Sequence, residues 1–369
     1  MKTLSSRERL TRLFSGQEID RTPIWLLAPY HPVSFYADIY HLQSYEKLIP
    51  YIEKYCDTFD RRPYPSGICF NANPELKQTF RTEKNDNGIT EIGEITYKDF
   101  KLQKSIYRGK EGTRVKYYIE DIEDLEKLID VPYVAPTPDL SGYEKEKAEL
   151  GDKGLMMADL GDPLGIFYHL MSAEDFSIYS LTDYETLLSL SDIVYKRTLD
   201  LYRYLLERDV CDVFFLVGAE FAGPPLVSPT KFNDLCVKYV KGIVDLIRSY
   251  GKKSILHYHG QLFDVLDGMK QINPDALHTI EAPPVGDCTI TQAREKLGDM
   301  ILIGNIQYDD LAHQNAEEIE QQVKQAIKDG GERFILSPTA GPYENSISNK
   351  MLENYITFID TGIRYGQHK

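Results

Sequence analysis

Two histidines, His257 and His259, stand two residues apart at the end of the apolar run 254–256, followed by Gly260. Side chains on a β-strand alternate between faces, so residues i and i+2 point the same way. Two imidazoles on one face supply two of the nitrogen donors zinc accepts, and a carboxylate would complete a three-ligand site with an open fourth position. A histidine at a strand end serves equally well as a hydrogen-bond partner for a loop. The chemistry that fits is either Lewis-acid activation of a bound ligand or proton transfer by imidazole.

Partners for these imidazoles come from the ends of other apolar runs. The stretch Phe214-Phe215-Leu216-Val217-Gly218-Ala219-Glu220 carries its only charge at its end, and Glu281 follows the run 276–280. Asp159 and Asp162 follow 155–158, Asn305 follows 300–303, and Ser337 and Thr339 follow 333–336. Each has a local alternative: the aspartates as helix caps, Glu281 as a solvated charge before Pro283-Pro284, Asn305 in a turn. If the runs are parallel strands of one barrel, their C-terminal ends meet at a single mouth, where barrel enzymes place their chemistry. On that reading Glu220, Glu281 and His257 are candidate catalytic groups. His257, His259, Glu220 and Glu281 are candidate metal ligands, and Asp159, Asn305 and Thr339 are candidate substrate contacts. Tyr30 and His31 join the substrate group, because the segment 30–41 is rich in Tyr and His and would line a pocket for a flat ligand, unless it only packs. The pair Arg61-Arg62 is read as solvated surface, and His278, internal to its run, as structural.

The elements that position these groups follow from period and punctuation. A helix is expected over 5–14, capped by Ser5 or Ser6 and stopped by Gly16, then a first core strand at 24–27 and a helical pattern over 45–59. Period-two stretches between 88 and 119 predict antiparallel hairpins, read as an insertion. After residue 136 short apolar runs alternate with amphipathic helices. One such helix is capped by Ser228, carries Pro229 in its first turn and ends at Gly251. The pattern predicts an α/β fold, a (β/α)8 TIM barrel with N-terminal helical and β-hairpin additions, over a single domain 1–369. A doubly wound open sheet is the alternative, although no G-x-G-x-x-G follows a strand.

Composition narrows the partners. The chain has 369 residues, 42% hydrophobic and 27% charged, enough for a large core. Forty-two basic against 57 acidic residues give a net charge of −15, which opposes nucleic acid and anionic membrane surfaces as partners. The start lacks an apolar signal region, and no window approaches the roughly 18 apolar residues of a membrane span. A soluble cytoplasmic enzyme with a small-molecule substrate is expected. The five cysteines form no C-x-x-C pair, against a zinc ribbon or disulfide framework.

Several stretches carry a family resemblance: Arg7-Glu8-Arg9-Leu10 through Asp20-Arg21-Thr22-Pro23-Ile24, Val227-Ser228-Pro229-Thr230-Lys231-Phe232, the strand with His257, Leu302-Ile303-Gly304-Asn305-Ile306, and Ile335-Leu336-Ser337-Pro338-Thr339. They span nearly the whole chain and resemble the uroporphyrinogen decarboxylase superfamily, which also contains cobamide-dependent methyltransferases. The resemblance implies a (β/α)8 barrel with added N-terminal elements. Decarboxylases of that family carry an R-x-A-G-R loop after the first strand to grip a tetrapyrrole's carboxylates. The corresponding Leu27-Ala28-Pro29-Tyr30-His31 has no arginine, so a polyanion would be poorly compensated. The methyltransferase branch holds zinc by a His-x-Cys pair and a later cysteine. Here His259 stands in place of the first cysteine and Ala340 falls where the later one is expected. The resemblance therefore implies zinc-assisted methyl transfer between a small substrate and a corrinoid protein or a thiol, with Glu220 or Glu281 supplying the missing zinc ligand. The alternatives are a decarboxylase acting on a less anionic substrate and a non-catalytic barrel binding a corrinoid or tetrapyrrole.

Overall fold

The computed structural model describes residues 3–368. Its centre is a curled parallel sheet of seven strands, and an antiparallel sheet of four lies outside it. In chain order the strands are β1 (Thr58–Pro63), the antiparallel set β2 (Lys77–Asn85), β3 (Gly88–Tyr97), β4 (Phe100–Gly109) and β5 (Gly112–Lys116), and then β6 (Gly154–Gly161), β7 (Val213–Val217), β8 (Lys253–Tyr258), β9 (Ala276–Thr279), β10 (Ile301–Ile306) and β11 (Phe334–Pro338). The parallel sheet runs β1-β6-β7-β8-β9-β10-β11, each neighbour being the next parallel strand in sequence. The segment 23–25 lies between its two edges. Trp25 N donates to Leu336 O and Leu336 N to Pro23 O, both at 2.9 Å, while Asp57 N donates to Ile24 O at 2.6 Å.

Period two divides the strand side chains into two layers. Phe59, Leu155, Met157, Val213, Phe215, Ile255, Ala276, Ile301, Ile303 and Ile335 form the inner cluster with Trp25 and Leu27. Their neighbours Met156, Phe214, Leu216, Leu256, Leu277, Leu302, Phe334 and Leu336 pack in the outer cluster against the helices. The N-terminal helix Ser6–Phe14, capped by Ser5, adds Leu10, Leu13 and Phe14 to the inner cluster and so seals one end of the sheet. Its Arg9 reaches Asp57 at 2.6 Å, and Arg21 meets the same carboxylate at 2.8 Å. The charged N-terminal motif is thus used to fasten the helix and the segment 23–25 to β1.

Four expectations change in detail. The helix expected over 45–59 is a single turn at Gln43–Tyr45 and a short helix Ile49–Tyr55, because the chain becomes extended at Cys56 and enters β1 at Thr58. The strand expected at 24–27 is reduced to the bridge between Ile24 and Leu336, since Leu27 adopts a left-handed φ of 56°. The antiparallel sheet begins at Lys77 rather than 88. The Ser228 side chain makes no cap; the chain passes through a 3-10 turn Pro229–Lys231 and a π-helical turn Asn233–Val237 before the helix Lys238–Ser249. Among the described residues no helix is long and apolar enough to cross a membrane.

Candidate active site

The register of β8 and β9 pairs His257 with His278. Their rings stack 4.9 Å apart at 22°, and the two Nδ1 atoms are 2.8 Å from one another, so one donates and the other accepts. That contact requires at least one of the two rings to be neutral. Burial first, then the neighbouring charge on His259, pushes His257 well below the ordinary imidazole range and His278 down to about 3. His278 is therefore part of the cluster as well as a buried strand residue.

His259 is half exposed at the strand end, with its Nδ1 3.2 Å from Glu281 Oε1. Burial opposes its imidazolium, but the hydrogen bond and charge of Glu281, reinforced by Glu220, hold its pKa above the ordinary value. Burial likewise opposes the Glu281 carboxylate, yet His259 and the Gly260 N–H, which donates to Oε2 at 2.7 Å, keep it below the usual range. The two form an ion pair. Glu220, at the turn after β7, behaves oppositely: burial raises its pKa and favours the protonated acid.

A third carboxyl sits beside Glu220. Asp162 caps the helix Pro163–Leu170 through Oδ1, leaving Oδ2 buried without a partner, and burial pushes it up to about 7. Gly218 lies between them: its N–H donates to Glu220 at 3.3 Å, and a Cβ there would stand 2.1 Å from Asp162 Oδ1. Only glycine fits, the more so at a φ of 140°.

The other expected residues divide into two groups. Asp159, at the end of β6, lies 3.0 Å from Arg61 Nε. Asn305 is in register with Ser337. Thr339 is buried, donating to Gln307 Oε1 at 3.1 Å and accepting from Tyr308 N at 3.2 Å. Tyr30 and His31 are not brought to the histidines. His31 Nδ1 binds Asp60 at 2.6 Å, on the opposite face of β1 from Arg61. Tyr30 contacts Lys153 and lines a separate cavity of about 770 Å³ with Arg9, Lys54 and Asp152.

Arg61 is the residue that sequence reasoning placed on the surface. It is half-buried beside Phe35, Tyr36 and Phe215, and Phe215 also neighbours His257. The available signal was the alternation Phe59, Arg61 within β1, which puts the guanidinium on the inner face.

The expected zinc ligands occupy one region, but their donors do not converge. Nδ1 of His257 is committed to His278 and Nδ1 of His259 to Glu281. Among the described residues no group of three or more His, Cys, Asp or Glu side chains is arranged to hold a metal ion. As they stand, the four side chains fit proton handling better than a tetrahedral metal centre.

Comparison with known proteins follows the same lines. Residues 103–358, more than half of the chain, match the family described as uroporphyrinogen decarboxylase (URO-D). No curated protein matches. A methyltransferase from Methanosarcina mazei is similar in structure over 98% of this chain and 99% of its own, with a TM-score of 0.64 at 16% identity, a likeness of fold. A B12-independent methionine synthase from Shewanella sp. W3-18-1 aligns over 93% of this chain and 97% of its own, with a TM-score of 0.49 at 11% identity.

Proposed function

Because the chain belongs to the uroporphyrinogen decarboxylase family, we propose that it is a cytoplasmic enzyme of that family's methyltransferase-like branch, moving a methyl group between a small substrate and an acceptor. The reading takes the curled sheet as a (β/α)8 barrel with the segment 23–25 in the eighth position and the reaction at its mouth. The observation that carries it is the His259–Glu281 ion pair near Glu220, whose pKa burial raises, at the ends of three successive strands. The arginine-free stretch after the segment 23–25 supports this branch over decarboxylation of a polyanion, and the fold likeness to the Methanosarcina mazei methyltransferase is consistent with it.

In methyl transfer a lone pair on the acceptor forms a bond to the methyl carbon while the old bond breaks, its electron pair staying on the leaving atom. That atom is a better leaving group when it receives a proton, and a thiol acceptor must lose one. Environments that drive neighbouring pKa values apart supply both roles at one pH. Glu220 or the His259 imidazolium gives the proton, and the Glu281 carboxylate takes one or orients the acceptor. Zinc held by His257, His259 and a carboxylate, and a corrinoid protein as methyl partner, are finer parts of the proposal; with Nδ1 of His257 in contact with His278, zinc would be taken by its Nε2. No step above passes through either group.

The test incubates the full chain with methylcobalamin and a panel of small thiols and amines, following methyl transfer by absorbance and product mass. Turnover is expected, with Glu220→Gln and Glu281→Gln each lowering kcat by about 10²–10⁴. Release of CO2 from a carboxylated substrate with no methylated product would overturn the assignment. Metal analysis of untagged wild type, His257→Ala and His259→Ala decides the zinc part alone: no zinc in wild type removes it.

A further inference from the structure

A guanidinium has five N–H donors in a rigid fork and cannot be neutralised at physiological pH. In Arg61 one is well used: Nη1 donates to the Tyr36 hydroxyl at 2.8 Å. Nε is 3.0 Å from Asp159 Oδ2, but its N–H is not aimed at that oxygen and is left without a hydrogen-bond partner. The side chain is only 14% exposed, and its walls are the rings of Phe35 and Phe215, with centroids 4.8 and 4.6 Å away, and Tyr36 at 5.6 Å. Aromatic faces attract the cation but do not accept its in-plane donors. A buried arginine tied only to a surface-like ion pair would use more of its fork than this one does.

Arg61 and the histidines share a neighbour in Phe215, whose centroid is 5.1 Å from that of His257 and 4.6 Å from the Arg61 guanidinium carbon. We infer that Arg61 is the anchor for a substrate carboxylate, and that the protein's substrate is a small carboxylic acid lying across Phe215 with its reactive end toward His259 and Glu281. The fork matches a planar carboxylate bidentately. Asp159 beside it leaves the pair with no net charge, which disfavours a dianion such as phosphate. This rests on the mouth being the reaction site, as proposed above, but it is read out by binding without turnover.

The reporter is built in. Trp25 is the only tryptophan, is buried in the inner cluster, and has its ring 6.2 Å from Phe215 and 5.6 Å from His278. Its fluorescence is titrated in the full chain with propionate, with the isosteric neutral propionamide and with inorganic phosphate. Propionate is expected to bind saturably and at least about tenfold tighter than either of the others, the scale of a charge-assisted bidentate pair. Arg61→Gln should erase that preference. Asp159→Asn, which removes the internal competitor, should tighten propionate several-fold. Equal binding of propionate and propionamide to wild type, a preference for phosphate, no saturable binding of propionate, or an unchanged preference in Arg61→Gln each overturns the inference. If Arg61→Gln fails to fold, the wild-type comparison and Asp159→Asn still decide. Methyl transfer that fails while the carboxylate preference holds would remove the proposed reaction and leave this anchor standing.

Discussion

Asp57 is the point where three parts of the fold are fastened, so its replacement tests how the sealed end of the sheet is held together. Its buried carboxylate accepts from Arg9 Nη1 at 2.6 Å, from Arg21 Nη1 at 2.8 Å and from Ile24 N at 3.0 Å. Asp57→Asn keeps the shape but turns one oxygen into an NH2 group facing a guanidinium. Two buried arginines are then left with Asp20 as their remaining acidic partner. Removing one member of a buried ion pair costs about 3–5 kcal/mol, because the other charge stays in low dielectric. Arg9 keeps its contacts with Asp20 and Arg21 keeps two backbone carbonyls, which puts the expectation at the lower end, about 3 kcal/mol. Spread over the unfolding entropy of a chain this long, that is a fall of about 4 °C in Tm. Urea unfolding followed by Trp25, next to Ile24 in the fastened segment, measures it. The control is Arg12→Ala, whose partner Glu8 is exposed, with an expected change below about 0.5 kcal/mol. A loss below about 1 kcal/mol in Asp57→Asn would refute the account, since the network would then be ornamental.

Three further outcomes follow from the same coordinates. In Glu281→Gln the group that holds the His259 imidazolium is gone, so an alkaline limb of activity set by that imidazolium should move to lower pH; a histidine NMR titration unchanged from wild type would sink this. The sign of the stability effect is fixed by linkage. The raised His259 contributes below its unfolded value of about 6.5 and loses that contribution as pH rises through its folded value, whereas the lowered Glu281 contributes above about 4.3 and loses it as pH falls through its folded value. The variant should therefore be penalised most near pH 6, between the two windows. Asp162 has the opposite sense for an acid: with its pKa pushed up to about 7, wild-type stability should fall as pH rises from about 3.9 to that value, and the advantage of Asp162→Asn should grow across this interval. A difference between the two that is flat with pH, measured by denaturant unfolding, contradicts it. Gly218→Ala places a methyl group 2.1 Å from Asp162 Oδ1 and 2.4 Å from Gly165 N, at a φ that alanine rarely adopts, and should cost about 3 kcal/mol or prevent soluble expression. A Tm within 1 °C of wild type would show that the turn relaxes at little cost.

The strands β6 to β11 were legible because a parallel strand covered on both faces is a continuous apolar run, and those runs stand out between amphipathic helices. β1 was not, because Thr58-Phe59-Asp60-Arg61-Arg62-Pro63 carries three charged residues in a row. Its charges belong to two environments. Asp60 and Arg62 face outward to His31 and Glu146, and Arg61 faces inward to Asp159. The misplacement of β1 is also why Arg61 was taken for surface. Tyr30 and His31 attracted notice by composition alone, and composition does not say on which side of a strand a loop will lie. That His259 and Glu281 come to one region was legible, since both follow apolar runs, but they were expected to share a metal and not to pair directly. The contact between His257 and His278 was not, because it depends on the register between β8 and β9, which a single strand does not encode.

The inner face explains why these polar groups occur together. Along β1 the inward residues go from Phe59 to Arg61, along β6 from Met157 to Asp159, along β8 from Ile255 to His257, along β9 from Ala276 to His278, along β10 from Ile303 to Asn305, and along β11 from Ile335 to Ser337. Each strand changes from apolar to polar within one step of two residues, toward the end away from the N-terminal helix. A one-residue slip of any of them would turn its polar group into the apolar layer under the helices, so these polar groups also fix the register. The same boundary sets the protonation pattern. Groups just above an apolar layer are poorly solvated, which pushes His257 and His278 down and Glu220 up, each toward its neutral form. His259 and Glu281 escape because they have each other, and Arg61 keeps its charge beside Asp159. The acid, base and anion anchor proposed above would thus arise from one geometric rule, the alternation of side chains along parallel strands that end on the same side of one curled sheet.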